Sequence, residues 1–170
     1  LVDTAFFSEI FKWKLIGSIE KFDKQCDGLL INSENFQALS LLQKRYERQV
    51  NCIYIDPPYN TGDDGFNYKD NFKSSSWLSM MDQLSGYYLD ILAEDGAFFA
   101  SCDEHEALDY GQLLKHHFGG ENLVETITWN KRIPKNDKGI GNIHEYVYLF
   151  SRNQKLRNLN EKSFLMRKDA

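Results

Sequence analysis

The run Val50 to Ile55 is rich in β-branched and aromatic residues and stops at Asp56-Pro57-Pro58. Two successive prolines lack the amide hydrogens that a ladder needs, so the run reads as a buried strand with an abrupt end. Asn60 to Asp70, which contains Thr-Gly-Asp-Asp-Gly, reads as a loop. Ser74 to Ser76 then cap a long helix from Trp77 to about Ala93, whose inward stripe is Trp77, Met80, Met81, Leu84, Tyr88 and Ile91. Glu94-Asp95-Gly96 turns the chain into a second strand, Ala97 to Ser101. Strand, long helix and strand make the crossover that parallel pairing requires.

The alternation continues on both sides of this unit. Upstream, Leu29 to Ile31 reads as a short strand, followed by a helix capped by Ser33 with apolar positions Phe36, Leu39, Leu42 and Tyr46. Downstream, Asp103 caps a helix that ends at Gly119-Gly120, and Val124 to Trp129 and Tyr146 to Phe150 supply two more strands. A polar, basic loop with Pro134, Gly139 and Gly141 separates these two, with no helix between them. The expected class is α/β: a partial doubly wound, mostly parallel sheet with helices on both faces, finished by antiparallel strands at the C-terminal end. The organisation read from the pattern is an N-terminal extension at 1–27, a main body at 28–153 and a basic C-terminal segment at 154–170. The stretch after Ser151 loses apolar periodicity and is either a frayed end or part of a region that continues elsewhere.

Composition narrows the function classes. A chain of 170 residues that is 42% hydrophobic and 14% aromatic has the material for one core. Charged residues make up 26%, and no apolar run approaches the roughly 18 residues of a membrane span, so a transmembrane role is not expected. The first twenty residues lack the basic, apolar and small-residue order of a secretion signal. Cys26, Cys52 and Cys102 are widely spaced and form no Cys-x-x-Cys element, which fits a reducing cytoplasm. Cys102 and His105 have a ligand-like spacing without a second pair near them, so no metal site is expected. Adjacent His116 and His117 stand near a helix end, where the C-terminal dipole suits them, and neither is read as catalytic.

The net charge of −5 argues against a surface coated for indiscriminate DNA binding. It hides an asymmetry: Lys131 to Lys168 holds ten basic and three acidic residues, +7, against −12 elsewhere. Such a segment either holds phosphates, with an affinity that falls as salt rises, or is a solvated tail.

The chemistry concentrates at Asp56-Pro57-Pro58-Tyr59, at the carboxyl end of a strand, where open α/β sheets collect ligands. Pro57 has a fixed φ and is followed by another proline, so its carbonyl is aimed. An exocyclic amine on a nucleobase is a poor nucleophile because its lone pair is delocalised into the ring. If the Asp56 carboxylate and the Pro57 carbonyl each accept one N–H bond, the nitrogen moves toward a tetrahedral arrangement and its lone pair localises. Tyr59 supplies a stacking face, which a base swung out of a duplex needs. The plainer alternatives are an Asp56 carboxylate that caps the turn after a strand and a Tyr59 that packs locally.

Asp56-Pro57-Pro58-Tyr59-Asn60-Thr61-Gly62, Gly65 to Phe72, Ser76-Trp77-Leu78, Glu94-Asp95-Gly96, Ser101 to Glu106, Phe118 to Asn122 and His144-Glu145-Tyr146 together resemble adenine-specific DNA methyltransferases of the β class. The closest resemblance is to modification subunits of type III restriction systems, over about residues 28 to 153. It implies an incomplete Rossmann-like methyltransferase fold and S-adenosylmethionine as methyl donor. Asp56, Pro57 and Tyr59 are implied as the catalytic target-base residues, with Pro58 and Asn60 binding substrate. Glu34, in Ile31-Asn32-Ser33-Glu34-Asn35, stands near the position where the family has Gly-Asp-Asn-Leu beside the cofactor; its other reading is an acid in a first helical turn. The implied partners are double-stranded DNA and a restriction subunit or second modification subunit, with no membrane.

In this family the Phe-x-Gly-x-Gly cofactor loop follows the catalytic motif, and none occurs before Ala170; Gly139-Ile140-Gly141 is too short and too polar to replace it. The expectation is therefore an N-terminal piece, without its recognition region and inactive alone. Two other functions stay open: N4 methylation of cytosine, and a catalytically silent nucleic-acid-binding or assembly module.

Overall fold

The computed structural model describes residues 3–62, 69–131 and 143–159. The chain divides into two compact units, Leu1–Glu34 and Asn35–Ala170, whereas the sequence pattern places a boundary after residue 27. The first unit holds helices α1 (Glu9–Ser18) and α2 (Phe22–Gln25). Ser8 caps α1 by accepting from the Phe11 amide, and Glu9 pairs with Lys12 one turn on. Leu29 to Ile31 is not a strand: the segment has no regular structure, and Leu30 is 96% exposed. A strand needs a neighbouring strand to pair with; these three residues are exposed, and water rather than a ladder meets their backbone groups.

The second unit runs α3 (Asn35–Tyr46), β1 (Val50–Ile55), α4 (Ser74–Ile91), β2 (Leu92–Cys102), α5 (Ala107–Phe118), β3 (Leu123–Asn130), β4 (His144–Ser151) and α6 (Gln154–Leu159). The sheet order is β1-β2-β4-β3. β1 and β2 are parallel across the α4 crossover, while β2–β4 and β3–β4 are antiparallel. The class is α/β as expected, with the antiparallel strands at its C-terminal end. The sheet is mixed rather than mostly parallel, since one of its three pairings is parallel.

Alternation assigns each strand residue to a face. Ile53 and Ile55, Phe98, Ala100 and Cys102, and Tyr146, Tyr148 and Phe150 meet one core with Leu39 of α3, the α4 stripe, and Tyr110, Leu114 and Phe118 of α5. Thus α3, α4 and α5 share one face of the sheet, where both faces were expected to be covered by helices; α6 packs against β2 and β4. Trp77 is fully buried and meets Tyr110 edge-on at 5.1 Å. The opposite face carries Cys52 and Tyr54, Phe99 and Ser101, Val147 and Glu145, and Ile127 and Trp129. Tyr54 and Trp129 are each 62% exposed. β1 is accordingly an edge strand covered on one side, not the buried strand its composition suggests, and its exposed residues are those of the open face.

Two helix starts differ from expectation. Lys73 is the cap residue of α4, and Ser74 to Ser76 lie inside the first turn; Glu106, not Asp103, precedes α5. Asp103 is buried and instead accepts from the His105 amide and ring at 3.0 and 2.9 Å. The expected turn Glu94-Asp95-Gly96 lies within β2: the register passes from Val50↔Leu92 to Cys52↔Ala97, leaving residues 93–96 as an irregularity on one strand. His117 bonds Asp82 across α4 and α5 at 2.7 Å. The stretch after Ser151 is helical as α6, where no periodicity pointed to a helix. Gly65 to Tyr68, the basic loop with Pro134, Gly139 and Gly141, and residues beyond 159 lie outside the described residues.

Candidate active site

The prolines end β1 so that Asp56 emerges at the strand's carboxyl end, exposed, with Tyr59 half-buried behind it. Both line an open pocket of about 600 Å³ on the helix-free stretch of the sheet. That volume lies within the range of small-molecule sites, ~300–1,000 Å³. Tyr54, Phe99 and Trp129 supply aromatic walls, Ser101 a hydroxyl, and Glu145 a second carboxylate. Tyr54 Oη and Ser101 Oγ are 2.5 Å apart, and the Tyr54 and Phe99 rings lie 6.5 Å apart. Lys131 pairs with Glu145 at 2.9 Å, so the second carboxylate is already partnered.

Burial pushes the Tyr59 phenol well above its ordinary value of 10.0; its hydrogen bond to the Asp56 carboxylate and the negative charges of Asp56 and Glu145 push in the same direction, while a hydrogen bond with Ser101 works against them. Tyr59 therefore stays neutral at ordinary pH and offers a ring and a hydroxyl, not a base. The pocket as a whole presents one solvent-facing carboxylate next to aromatic surfaces, which suits a planar ring bearing hydrogen-bond donors.

Of the residues singled out from sequence, Asp56 and Tyr59 line the pocket, and Pro57 lies between them in the chain. Pro58 and Asn60 are turned to other work. The Pro58 carbonyl accepts from Trp77 Nε1 at 2.7 Å, and the Asn60 side chain bonds Glu106 and the Phe72 amide. Glu34 is the exposed last residue of the other compact unit. Sequence reasoning missed Tyr54, Ser101, Trp129 and Glu145. A usable signal existed: Trp129 pairs with Glu145, and Tyr54 with Phe99, so correct strand alignment puts each pair on one face. The basic C-terminal asymmetry is partly consumed inside the fold. Lys131 pairs with Glu145, Arg152 bonds Glu94 and the carbonyls of Leu89 and Leu92, and Arg157 donates to the Asp95 carbonyl.

The fold is similar to parts of two solved structures. It is similar to TTHA0409 from Thermus thermophilus (TM-score 0.54, 14% identity, 71% of this chain and 51% of that one). It is also similar to M1.HpyAVI solved as a SAM complex (TM-score 0.51, 16% identity, 74% and 54%). Residues 50–170 match the DNA methylase family of the N6/N4 type, and the chain belongs to that family. Among its relatives is the probable type III restriction-modification enzyme HindVI Mod subunit of Haemophilus influenzae, 32% identical over 172 residues, covering 94% of this chain. The chain spans 23% of that relative's length.

Proposed function

We propose that this chain forms the target-base end of an S-adenosylmethionine-dependent DNA methyltransferase that modifies the N6 amine of an adenine swung out of duplex DNA. The observation that supports it most directly is the open pocket shared by an exposed Asp56 and a half-buried Tyr59. In this reading the base stacks on Tyr59 and gives one amine hydrogen to the Asp56 carboxylate and the other to the Pro57 carbonyl. The nitrogen lone pair localises, and attack on a methyl carbon becomes possible. In the same reading the solvent-facing Asp56 takes the proton that the methylated nitrogen releases.

S-adenosylmethionine supplies an electrophilic methyl group when bound. The described residues lining the pocket offer aromatic faces and two carboxylates, with no cationic side chain among them for that molecule's own carboxylate end. The steps above belong to the chain's own groups.

The resemblance to the adenine-specific methyltransferases, which have Asp at the first motif position, is what points to adenine; cytosine N4 presents the same kind of amine and is the competing substrate. We further propose that DNA and a restriction subunit are the partners, in keeping with the Mod relative. The test is transfer of labelled methyl into duplex DNA by the natural polypeptide carrying these residues, followed by identification of the modified nucleoside. Asp56→Ala should abolish transfer; full activity in that variant overturns the reading, and label in cytosine moves it to the competing substrate. No transfer by the wild type supports the silent module instead.

A further inference from the structure

We infer that Asn60, gripped by Asp70 and Glu106, is a positioning residue that fixes where the acceptors of Asp56 and Pro57 point; this rests on the base-holding reading above. Asn60 has φ +62°, in the left-handed region that side chains rarely adopt. A residue persists there when its surroundings over-determine it. Its amide donates to Asp70 Oδ1 at 2.7 Å, its Nδ2 donates to Glu106 Oε1 at 2.6 Å, and its Oδ1 accepts from the Phe72 amide at 2.6 Å.

The two acids are committed to this loop. Asp70 also accepts from the Thr61 amide and hydroxyl, at 3.2 and 2.5 Å, and its carbonyl accepts from the Gly62 amide at 2.8 Å. The second Glu106 oxygen accepts from Ser74 Oγ at 2.6 Å. Each acid is only 4% exposed. A buried carboxylate is costly unless it is hydrogen-bonded, and both oxygens of each acid accept bonds from this loop or from Ser74 beside it. On the other side of Tyr59, Trp77 holds the Pro58 carbonyl. The motif is thus pinned at 58 and at 60, with Pro57 stiff by its own ring.

Neither Asn60, Asp70 nor Glu106 lines the pocket. They act on the reaction through the motif's backbone, which makes them positioning rather than catalytic residues, and Asn60 is reassigned from base contact to clamp.

Steady-state methyl transfer into duplex DNA by the natural polypeptide, with melting curves for every variant, tests this. Asn60→Gly accepts the positive φ without strain and removes only the two side-chain bonds. Glu106→Leu removes the acceptors, while Glu106→Gln keeps an oxygen for Asn60 and offers its NH2 to the Ser74 hydroxyl. Asn60→Gly and Glu106→Leu should lower kcat by about 10- to 100-fold with KM for the methyl donor within about twofold, and Glu106→Gln should stay within about threefold of wild type. Wild-type kcat in folded Asn60→Gly, or Glu106→Gln as impaired as Glu106→Leu, overturns the inference. If one of the two disruptive variants does not fold, the other decides; if neither folds, the cluster is assigned to stability and the positioning role falls. An active Asp56→Ala defeats the base-holding reading itself, whereas an inactive Asp56→Ala beside a fully active Asn60→Gly defeats only the clamp.

Discussion

The indole N–H of Trp77 lies 2.7 Å from the carbonyl oxygen of Pro58, so the largest fully buried side chain of the core is also a hydrogen-bond donor to the loop at the pocket. Trp77→Phe keeps an aromatic ring against Tyr110 but strands the Pro58 carbonyl and leaves a gap. Urea denaturation should register a loss of about 1–3 kcal/mol from the orphaned acceptor, with the packing defect adding to it. A change within experimental error would mean that the carbonyl finds water at no cost.

Tyr59 is assigned a face, not an ionisable group. Tyr59→Phe should retain most activity, and Tyr59→Ala should lower kcat/KM by about 10- to 100-fold, the scale of one base–aromatic stack. The phenol's pKa is raised above 10.0, mainly by burial and then by Asp56, so the group stays protonated throughout the neutral range. The rate profile from pH 6 to 9 should therefore show no break that disappears in Tyr59→Phe.

Gly111 lies inside α5, where alanine would ordinarily be favoured by about 1 kcal/mol. Here an added Cβ would come within 2.9 Å of Tyr148 Oη, and that hydroxyl donates to the Ala107 carbonyl at 2.6 Å. Gly111→Ala should destabilise by about 1–3 kcal/mol, because the tyrosine cannot retreat without losing its bond. Thermal melts of Gly111→Ala and of Gly111→Ala with Tyr148→Phe check whether a freer ring recovers part of the loss.

Burial pushes the Cys102 thiol up to about 12 from an ordinary 9.0, with the Asp103 and Glu145 carboxylates pushing the same way. The folded state therefore keeps a proton that the unfolded chain has already lost between those values. Stability should be unaffected by this group below pH 9 and fall as pH rises toward 12, by up to about 1.4 kcal/mol per pH unit. Urea melts at pH 8 to 10 should show a shallower fall in Cys102→Ala. In native protein a thiol reagent should modify the exposed Cys26 and Cys52 and spare Cys102 until unfolding.

Local pattern was enough for the elements that carry their own signal. β1 and its double-proline stop, the α4 stripe, and the β3–β4 pair are set by spacing that nearby residues alone impose. Where the sequence misled, the deciding contact came from far along the chain. Glu106 precedes α5, yet its oxygens are taken by Asn60 and Ser74. Ser74 was read as a cap for its own helix, and its hydroxyl instead reaches Glu106. The exposed side of β1 could not be inferred from Val50 to Ile55, since burial of a strand depends on what covers it. α6 has too few residues for a period to be read, and Arg157 in it is held by the Asp95 carbonyl.

Because α3, α4 and α5 wall off one side of the sheet, the second compact unit has a helical back and an open front. Gln83, Asp109 and Gln112 sit exposed on the back. A dye or tether attached at one of these positions would hang from the helical side of this unit, away from the sheet face that carries Asp56 and Tyr59.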